Sequence, residues 1–203
     1  MFHITHKADM KIPKDQILQI FKETDALLEG HFVLTSGLHS PHYFQCAKVL
    51  QYPKYLHLLA GDIAQHYEYS EVEVVLSPAV GGIVVGTEIG RVLGVRTIFA
   101  ERENGVMKLR RGFGVKKGER VLVVEDVVTT GGSVEEVCAL VTESGAKLVG
   151  IGCIVDRSNG KAQFDAKFYS VMEMDVQTYK PEEIPESLAA VPISKPGSRG
   201  LQG

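Results

Sequence analysis

Apolar and polar positions follow two rhythms along the chain, and each rhythm predicts an element. From Asp15 to Leu28, the residues Ile17, Ile20, Phe21, Leu27 and Leu28 keep a largely helical spacing that Gly30 then ends. His31 to Leu50 alternates poorly but holds two short extended segments around a Ser36-Gly37 turn. Pro53 opens a helix towards Tyr67, because a fixed φ and a missing N–H suit a first helical position. The β-branched run Val72 to Leu76 predicts a buried strand, followed by a turn over Ser77 to Gly82. Ile83 to Leu93 reads as a helix capped by Gly94, and Arg96 to Ala100 as a second strand. Arg120 to Glu125 is a third strand. Val134, Val137, Cys138 and Val141 then mark one helical face at i, i+3, i+4 and i+7, ended by Gly145. Leu148 to Val155 and Lys167 to Met172 complete a set of five strands.

Strands alternating with helices predict an α/β fold, a central parallel β-sheet flanked by helices with a Rossmann-like core. Such sheets bind ligands beyond the carboxyl ends of their strands, so the loops after each strand are where chemistry is expected. With 203 residues the chain suits one domain: residues 1–50 as an N-terminal helix and cap, 51–180 as the core, and 181–203 as a tail. The tail from Pro181 to Gly203 holds four prolines and is expected to lie on the surface.

Composition narrows the function classes. Hydrophobic residues make up 44% and charged residues 23%, an ordinary globular balance. A formal charge of -3 gives no general footprint for nucleic acid or a membrane surface. Three well-separated cysteines without a CxxC pair read as free thiols of a reducing compartment, with Cys138 and Cys153 as buried packing residues. Met1 to Asp15 lacks the apolar stretch of a secretory signal, and Val80 to Val95 is interrupted by Glu88 and Arg91. A cytoplasmic location is expected.

The sharpest chemical feature is Val121-Leu122-Val123-Val124-Glu125-Asp126-Val127-Val128-Thr129-Thr130-Gly131-Gly132-Ser133. An apolar strand ends in two adjacent carboxylates, and a Thr/Gly/Ser turn then opens a helix. Unpaired amides and the positive dipole end at a helix N-terminus attract phosphate, small residues let it approach, and hydroxyls add donors. The paired acids suit a sugar diol or a cation. A plain capping role for Thr129 or Ser133 explains the turn but leaves the acids uncompensated at a buried strand end. The GxxxxGK[ST] loop is absent, and Gly112-Phe113-Gly114 precedes a strand where a dinucleotide loop would follow one.

This segment resembles the phosphoribosyl pyrophosphate-binding motif of type I phosphoribosyltransferases. The resemblance implies that Glu125 and Asp126 bind the ribose hydroxyls and that Val127, Val128, Thr129, Thr130, Gly131, Gly132 and Ser133 hold the 5-phosphate. The stretch Leu34-Thr35-Ser36-Gly37-Leu38-His39-Ser40-Pro41-His42-Tyr43-Phe44 is similar to the small N-terminal hood of orotate phosphoribosyltransferases, and Asp156-Arg157 to that family's Asp-Arg pair. The likeness runs from about Lys14 to Gly160 and implies that Tyr43, Phe44, Thr129 and Arg157 contact orotate. A flat anionic base does need a stacking face and a cation. Two lysines that serve pyrophosphate in the family are Thr35 and Gly81 here, with Lys48 a candidate substitute. His39 and His42 lack a third metal ligand nearby and read as polar loop residues.

Glu101 to Lys117 carries Arg102, Lys108, Arg110, Arg111, Lys116 and Lys117 among glycines. It reads either as a solvated hairpin or as a mobile lid that brings cations to a leaving pyrophosphate. It stands where the family has its catalytic loop, which implies catalytic roles for Arg102 and Lys108, with Arg102 also touching the phosphoribosyl donor, while the resemblance of the binding motif adds Asp126 to the catalytic set. The resemblance further implies Mg2+ carried mainly by the substrate pyrophosphate, and a homodimer whose loop 101–117 reaches the partner's site. The expected reaction makes orotidine 5-phosphate and pyrophosphate. A purine-directed relative and a non-catalytic regulator that binds the same donor are the rival readings.

Overall fold

The computed structural model describes residues 11–34 and 36–194. Thr35, residues 1–10 and the last part of the tail, 195–203, lie outside the described residues, and with them what the sequence suggested there.

Helix α1 spans Lys14–Glu23 and buries Ile17, Ile20 and Phe21. It is shorter than its apolar spacing predicts. The Thr24 amide and hydroxyl both return to the Ile20 carbonyl, at 3.1 Å and 2.8 Å. Asp25 then takes a left-handed φ of 53°, which turns the chain out of the helix. Leu27 and Leu28 open strand β1, Leu27–Val33, and pair with Phe44 and Tyr43 of β2, His39–Phe44. Their helical phase is a coincidence of two apolar neighbours, and Gly30 sits inside the strand.

A short helix α2, Ala47–Leu50, leads into α3, Pro53–His66, with proline in its first turn as expected. The α/β core follows as β3 Val74–Pro78, α4 Gly81–Leu93, β4 Arg96–Glu103, β5 Val106–Leu109, β6 Arg120–Val128, α5 Gly132–Glu143, β7 Lys147–Asp156 and β8 Phe168–Glu173. The sheet order is β5-β4-β3-β6-β7-β8, parallel except for the β4–β5 hairpin. β4 runs three residues past the expected strand, because Asn104 and Gly105, at φ 52° and 82°, supply a two-residue hairpin turn. Sheet β6 also extends through the acid pair to Val128.

Strand alternation splits the core in two. Leu122 and Val124 pack with Leu59 and Ile63 of α3 and Val85 and Ile89 of α4. Val121 and Val123 face Val134, Val137 and Val141 of α5. Tyr67, just after α3, is buried, and its hydroxyl donates to the carbonyls of Ile151 (2.8 Å) and Lys167 (3.1 Å). Burial pushes that phenol up to about 12. Cys153 is buried as the sequence suggests, whereas Cys138 on α5 is only half-buried.

The described part of the tail, 181–194, lies largely on the surface as expected, but it carries elements that its prolines do not announce. It forms a 3-10 turn at Pro181–Glu183, a short helix α6 at Glu186–Ala189 that buries Leu188, and a strand β9, Ile193–Ser194, parallel to β1. The hood is therefore a three-stranded sheet, β2-β1-β9. His31 is buried; its Nδ1 lies 3.0 Å from the Val191 carbonyl and its Nε2 2.6 Å from Nδ1 of His39. A carbonyl only accepts, so His31 Nδ1–H donates to it and its Nε2 accepts from His39 Nδ1–H. Ser40 Oγ donates to the Gln177 carbonyl at 2.9 Å, and His39 exchanges two backbone bonds with Tyr179. Among the described residues, no helix is long and apolar enough to cross a membrane.

Candidate active site

The adjacent parallel strands β3, β6 and β7 end on the same side of the sheet, and a cleft opens there at the end of β6. At its base the chain leaves β6 at Val128 and enters α5 at Gly132. Glu125, Val127, Val128, Thr129, Thr130, Gly131, Gly132, Ser133 and Val134 line a cleft with about 250 Å³ of empty space that opens to solvent. Val127 and Val128 are still strand residues there, so the turn proper is Thr129 to Gly131. Gly131 takes φ 86°, which only glycine adopts without strain, and a Cβ there would lie 3.1 Å from both Ala162 and the Phe164 ring. The Gly132 amide sits 3.5 Å from Thr130 Oγ1, and both threonines are exposed. The mouth of α5 thus presents first-turn amides and hydroxyls towards open space.

Glu125 and Asp126 stand at the cleft rim. The Asp126 amide donates to Glu125 Oε1 at 3.0 Å, and the Val127 amide to Asp126 Oδ1 at 3.0 Å. Burial first, and the neighbouring Asp126 carboxylate second, push the Glu125 carboxyl up to about 9. Gly81 and Gly82, the first residues of α4, abut these acids: a Cβ on Gly82 would come 2.9 Å from Glu125 Oε1, and one on Gly81 would collide with the Asp126 carboxylate. This contact leaves no periodic trace in the sequence.

The orotate-directed residues divide. Arg157 follows β7, and its amide donates to the Val128 carbonyl at 2.8 Å, tying it to the start of the turn. Burial pulls the guanidinium below its usual range, with the Tyr43 phenol a smaller influence in the opposite direction. Arg157 Nε is buried without a hydrogen-bond partner, as is the hydroxyl of its neighbour Ser158, which no sequence pattern singled out. Tyr43 stays half-buried, 5.7 Å from Phe32. Phe44 points to the other side of β2: it is buried in the core, 5.0 Å from Phe21. Its pairing with Tyr43 as a second stacking face is thus corrected by the period-two alternation of the strand. Cys46, just after β2, is buried, and burial first, then the Asp126 carboxylate, push its thiol upward.

The cations of the 101–117 segment do not line the cleft. Arg102 pairs with Glu136 of α5 (2.8 Å), Lys108 and Arg110 with Glu103 (2.9 and 3.2 Å), and Arg111 with Glu101 (2.7 Å). Phe113 rests 5.1 Å from Phe99, so the segment is an anchored hairpin and loop in this state, not a detached lid. His39 pairs with His31, not with His42. Among the described residues, no three His, Cys, Asp or Glu gather as a metal site.

The family model of the phosphoribosyl transferase domain matches residues 48–186. An orotate phosphoribosyltransferase of Chlorobium phaeobacteroides is 57% identical over 186 residues, 92% of this chain and 96% of that protein. The chain belongs to the orotate phosphoribosyltransferase family. Another member, from Caldanaerobacter subterraneus, is 50% identical over 188 residues, 93% of this chain and 99% of the relative. The fold of the family is seen in the crystal structure of the Aeropyrum pernix orotate phosphoribosyltransferase, with a TM-score of 0.67 at 23% identity over 78% of this chain and 93% of that one. The six-stranded, mainly parallel sheet described above is thus the type I phosphoribosyltransferase fold.

Proposed function

We propose that this cleft transfers the 5-phosphoribosyl group of phosphoribosyl pyrophosphate to orotate, giving orotidine 5-phosphate and pyrophosphate in pyrimidine nucleotide synthesis. One observation carries the reading: an open helix-mouth cleft, two adjacent acids, and Arg157, whose amide donates to the Val128 carbonyl at the start of the turn, lie together at the carboxyl end of β6. The 5-phosphate sits on the amides and hydroxyls of 127–133, and Glu125 and Asp126 accept from the ribose hydroxyls. Arg157 faces the anionic base, its buried Nε left free to donate, and Tyr43 with Thr129 borders the ring. Phe44 supports this wall from the core.

Mg2+ fits as an ion brought by the substrate. The rim offers hard carboxylate oxygens from a single acid pair, fewer than a protein-only octahedral cage requires. When bound, it neutralises charge growing on the departing pyrophosphate. The chain supports the same charge with cations. Arg102 and Lys108 rest in exposed ion pairs worth about 0.2–1 kcal/mol each, a small cost for exchanging Glu136 and Glu103 for a polyanion. Movement of 101–117 over the cleft also excludes water that would hydrolyse the activated sugar. In this reading the chain forms a single phosphoribosyltransferase domain, acts in the cytoplasm and works as a homodimer whose 101–117 segment reaches the partner's site. Exposed Val80, Val84 and Val92 around α4 and Val106 on the hairpin support that assembly.

The test mixes protein, phosphoribosyl pyrophosphate, Mg2+ and orotate and follows ultraviolet absorbance, with Asp126→Asn as control. Mg2+-dependent loss of orotate, absent in the control, is expected. Turnover of a purine alone would overturn the Tyr43–Arg157 assignment, and binding without turnover of any base would make the chain a regulator. Light scattering that finds a monomer at micromolar concentration would overturn the dimer.

A further inference from the structure

We propose that Gly81 is a positioning residue for the phosphoribosyl donor, acting through Asp126, a proposal that rests on the ribose-binding role given to Asp126 above. Glycine is usually explained by a left-handed backbone, and that explanation fails here. Gly81 lies in the first turn of α4 without the positive φ that marks Gly94 or Gly131. Space makes the demand instead. A Cβ at 81 would collide with Oδ2 of Asp126 and come within 2.8 Å of Oδ1, so the whole carboxylate fills the volume a side chain would use. Gly82 repeats the arrangement against Glu125 Oε1 at 2.9 Å. Two consecutive glycines therefore face two consecutive acids across the gap between α4 and β6.

The Asp126 carboxylate is held on two sides. Its Oδ1 accepts from the Val127 amide at 3.0 Å, and its other flank lies against the bare Gly81 backbone. Because β3 leads into α4 and pairs directly with β6, the wall and the acid are fixed to adjacent strands. A methyl group at 81 pushes the carboxylate off this seat. The consequence for position 81 is specific: a lysine there would first have to displace Asp126, so it would not act as a simple added cation. The absence of a side chain is itself the functional property.

The experiment is a double-mutant cycle on the full chain, reading KM for phosphoribosyl pyrophosphate, KM for orotate, kcat and the unfolding temperature. Gly81→Ala is expected to lower kcat/KM for the donor roughly ten- to a hundredfold, the scale of a misplacement near 1 Å, with KM for orotate unchanged. The unfolding temperature should hold, because alanine favours a first helical turn. Gly61→Ala on α3, where a Cβ meets nothing within 4 Å, should change none of these. Asp126→Ala should also impair the donor, and adding Gly81→Ala to it should then do nothing further. An equal additional loss in the Asp126→Ala background, no loss from Gly81→Ala, or faster turnover by Gly81→Lys would each overturn the proposal. If Asp126→Ala alone left the donor's KM and kcat untouched, the ribose assignment itself would fail and take the proposal with it.

Discussion

Replacing Glu125 with glutamine should make the ligand-free protein more stable, by a margin that grows with pH. Burial and the Asp126 carboxylate raise the folded-state value of Glu125 from 4.5 to about 9. Below about pH 4.5 the folded and unfolded chains both hold the proton, and nothing is lost. As pH climbs, the unfolded chain releases it while the folded chain keeps it until near pH 9, so stability falls across that window. At ~1.4 kcal/mol per pH unit, the loss by pH 7 is at most about 3.5 kcal/mol. Glutamine keeps an oxygen to accept from the Asp126 amide, now 3.0 Å from Oε1, and removes the titration. Urea unfolding of both proteins at pH 5, 6, 7 and 8 should give curves that nearly meet at pH 5 and diverge above it. At pH 7 the variant should melt higher by roughly 2–4 °C per kcal/mol gained. The same variant should bind phosphoribosyl pyrophosphate more weakly where the ribose hydroxyls draw Glu125 into its charged form, a stronger acceptor that glutamine cannot supply. A stability difference that stays constant with pH, or a wild type that is the more stable at pH 8, would refute the reasoning.

Tyr43→Ala and Phe44→Ala should separate by function: the first raises KM for orotate with about 1 kcal/mol or less lost in stability, while the second loses about 3–5 kcal/mol with KM for orotate unchanged in the folded fraction. Tyr67→Phe strips a buried donor from the Ile151 and Lys167 carbonyls and should cost about 1–3 kcal/mol in urea unfolding, with kcat unaffected. Arg102→Ala breaks an exposed pair with Glu136 and an exposed hydrogen bond to the Gly105 carbonyl, so its unfolding free energy should move by about 1 kcal/mol or less, while kcat falls if the arginine supports the leaving group.

Local chemistry made parts of this molecule readable in sequence. The β6–α5 segment is legible because strand, acids, small turn and helix follow one another without a break, and its cleft is built from those same consecutive residues. Helix α3 and the Gly94 cap were equally plain, since proline and glycine act on their own backbone. Long-range contacts were not. Leu27 and Leu28 fit a helical phase, and only their partners Phe44 and Tyr43, far along the chain, make them a strand. The proline-rich tail reads as surface and is largely exposed, yet nothing local announces that the Val191 carbonyl meets His31, 160 residues away. Phe44 and Tyr43 are neighbours in sequence and opposites in space, a separation fixed by strand alternation once β2 is recognised. The Gly81–Asp126 contact has no local signature, because a missing side chain announces nothing about what occupies its place.

The hood has an implication for how the molecule comes into being. Its middle strand β1 is made early, yet one neighbour, β9, comes from residues 193–194, and the buried imidazole of His31 waits for the Val191 carbonyl. During synthesis the parallel core can assemble around β3, β6 and β7 while the substrate-facing sheet still lacks an edge. Such distant pairings close slowly, after their loops have been gathered in. The β1–β9 edge of the hood can therefore close only after residues 193–194 have been made, whereas the β6–α5 cleft is complete well before them.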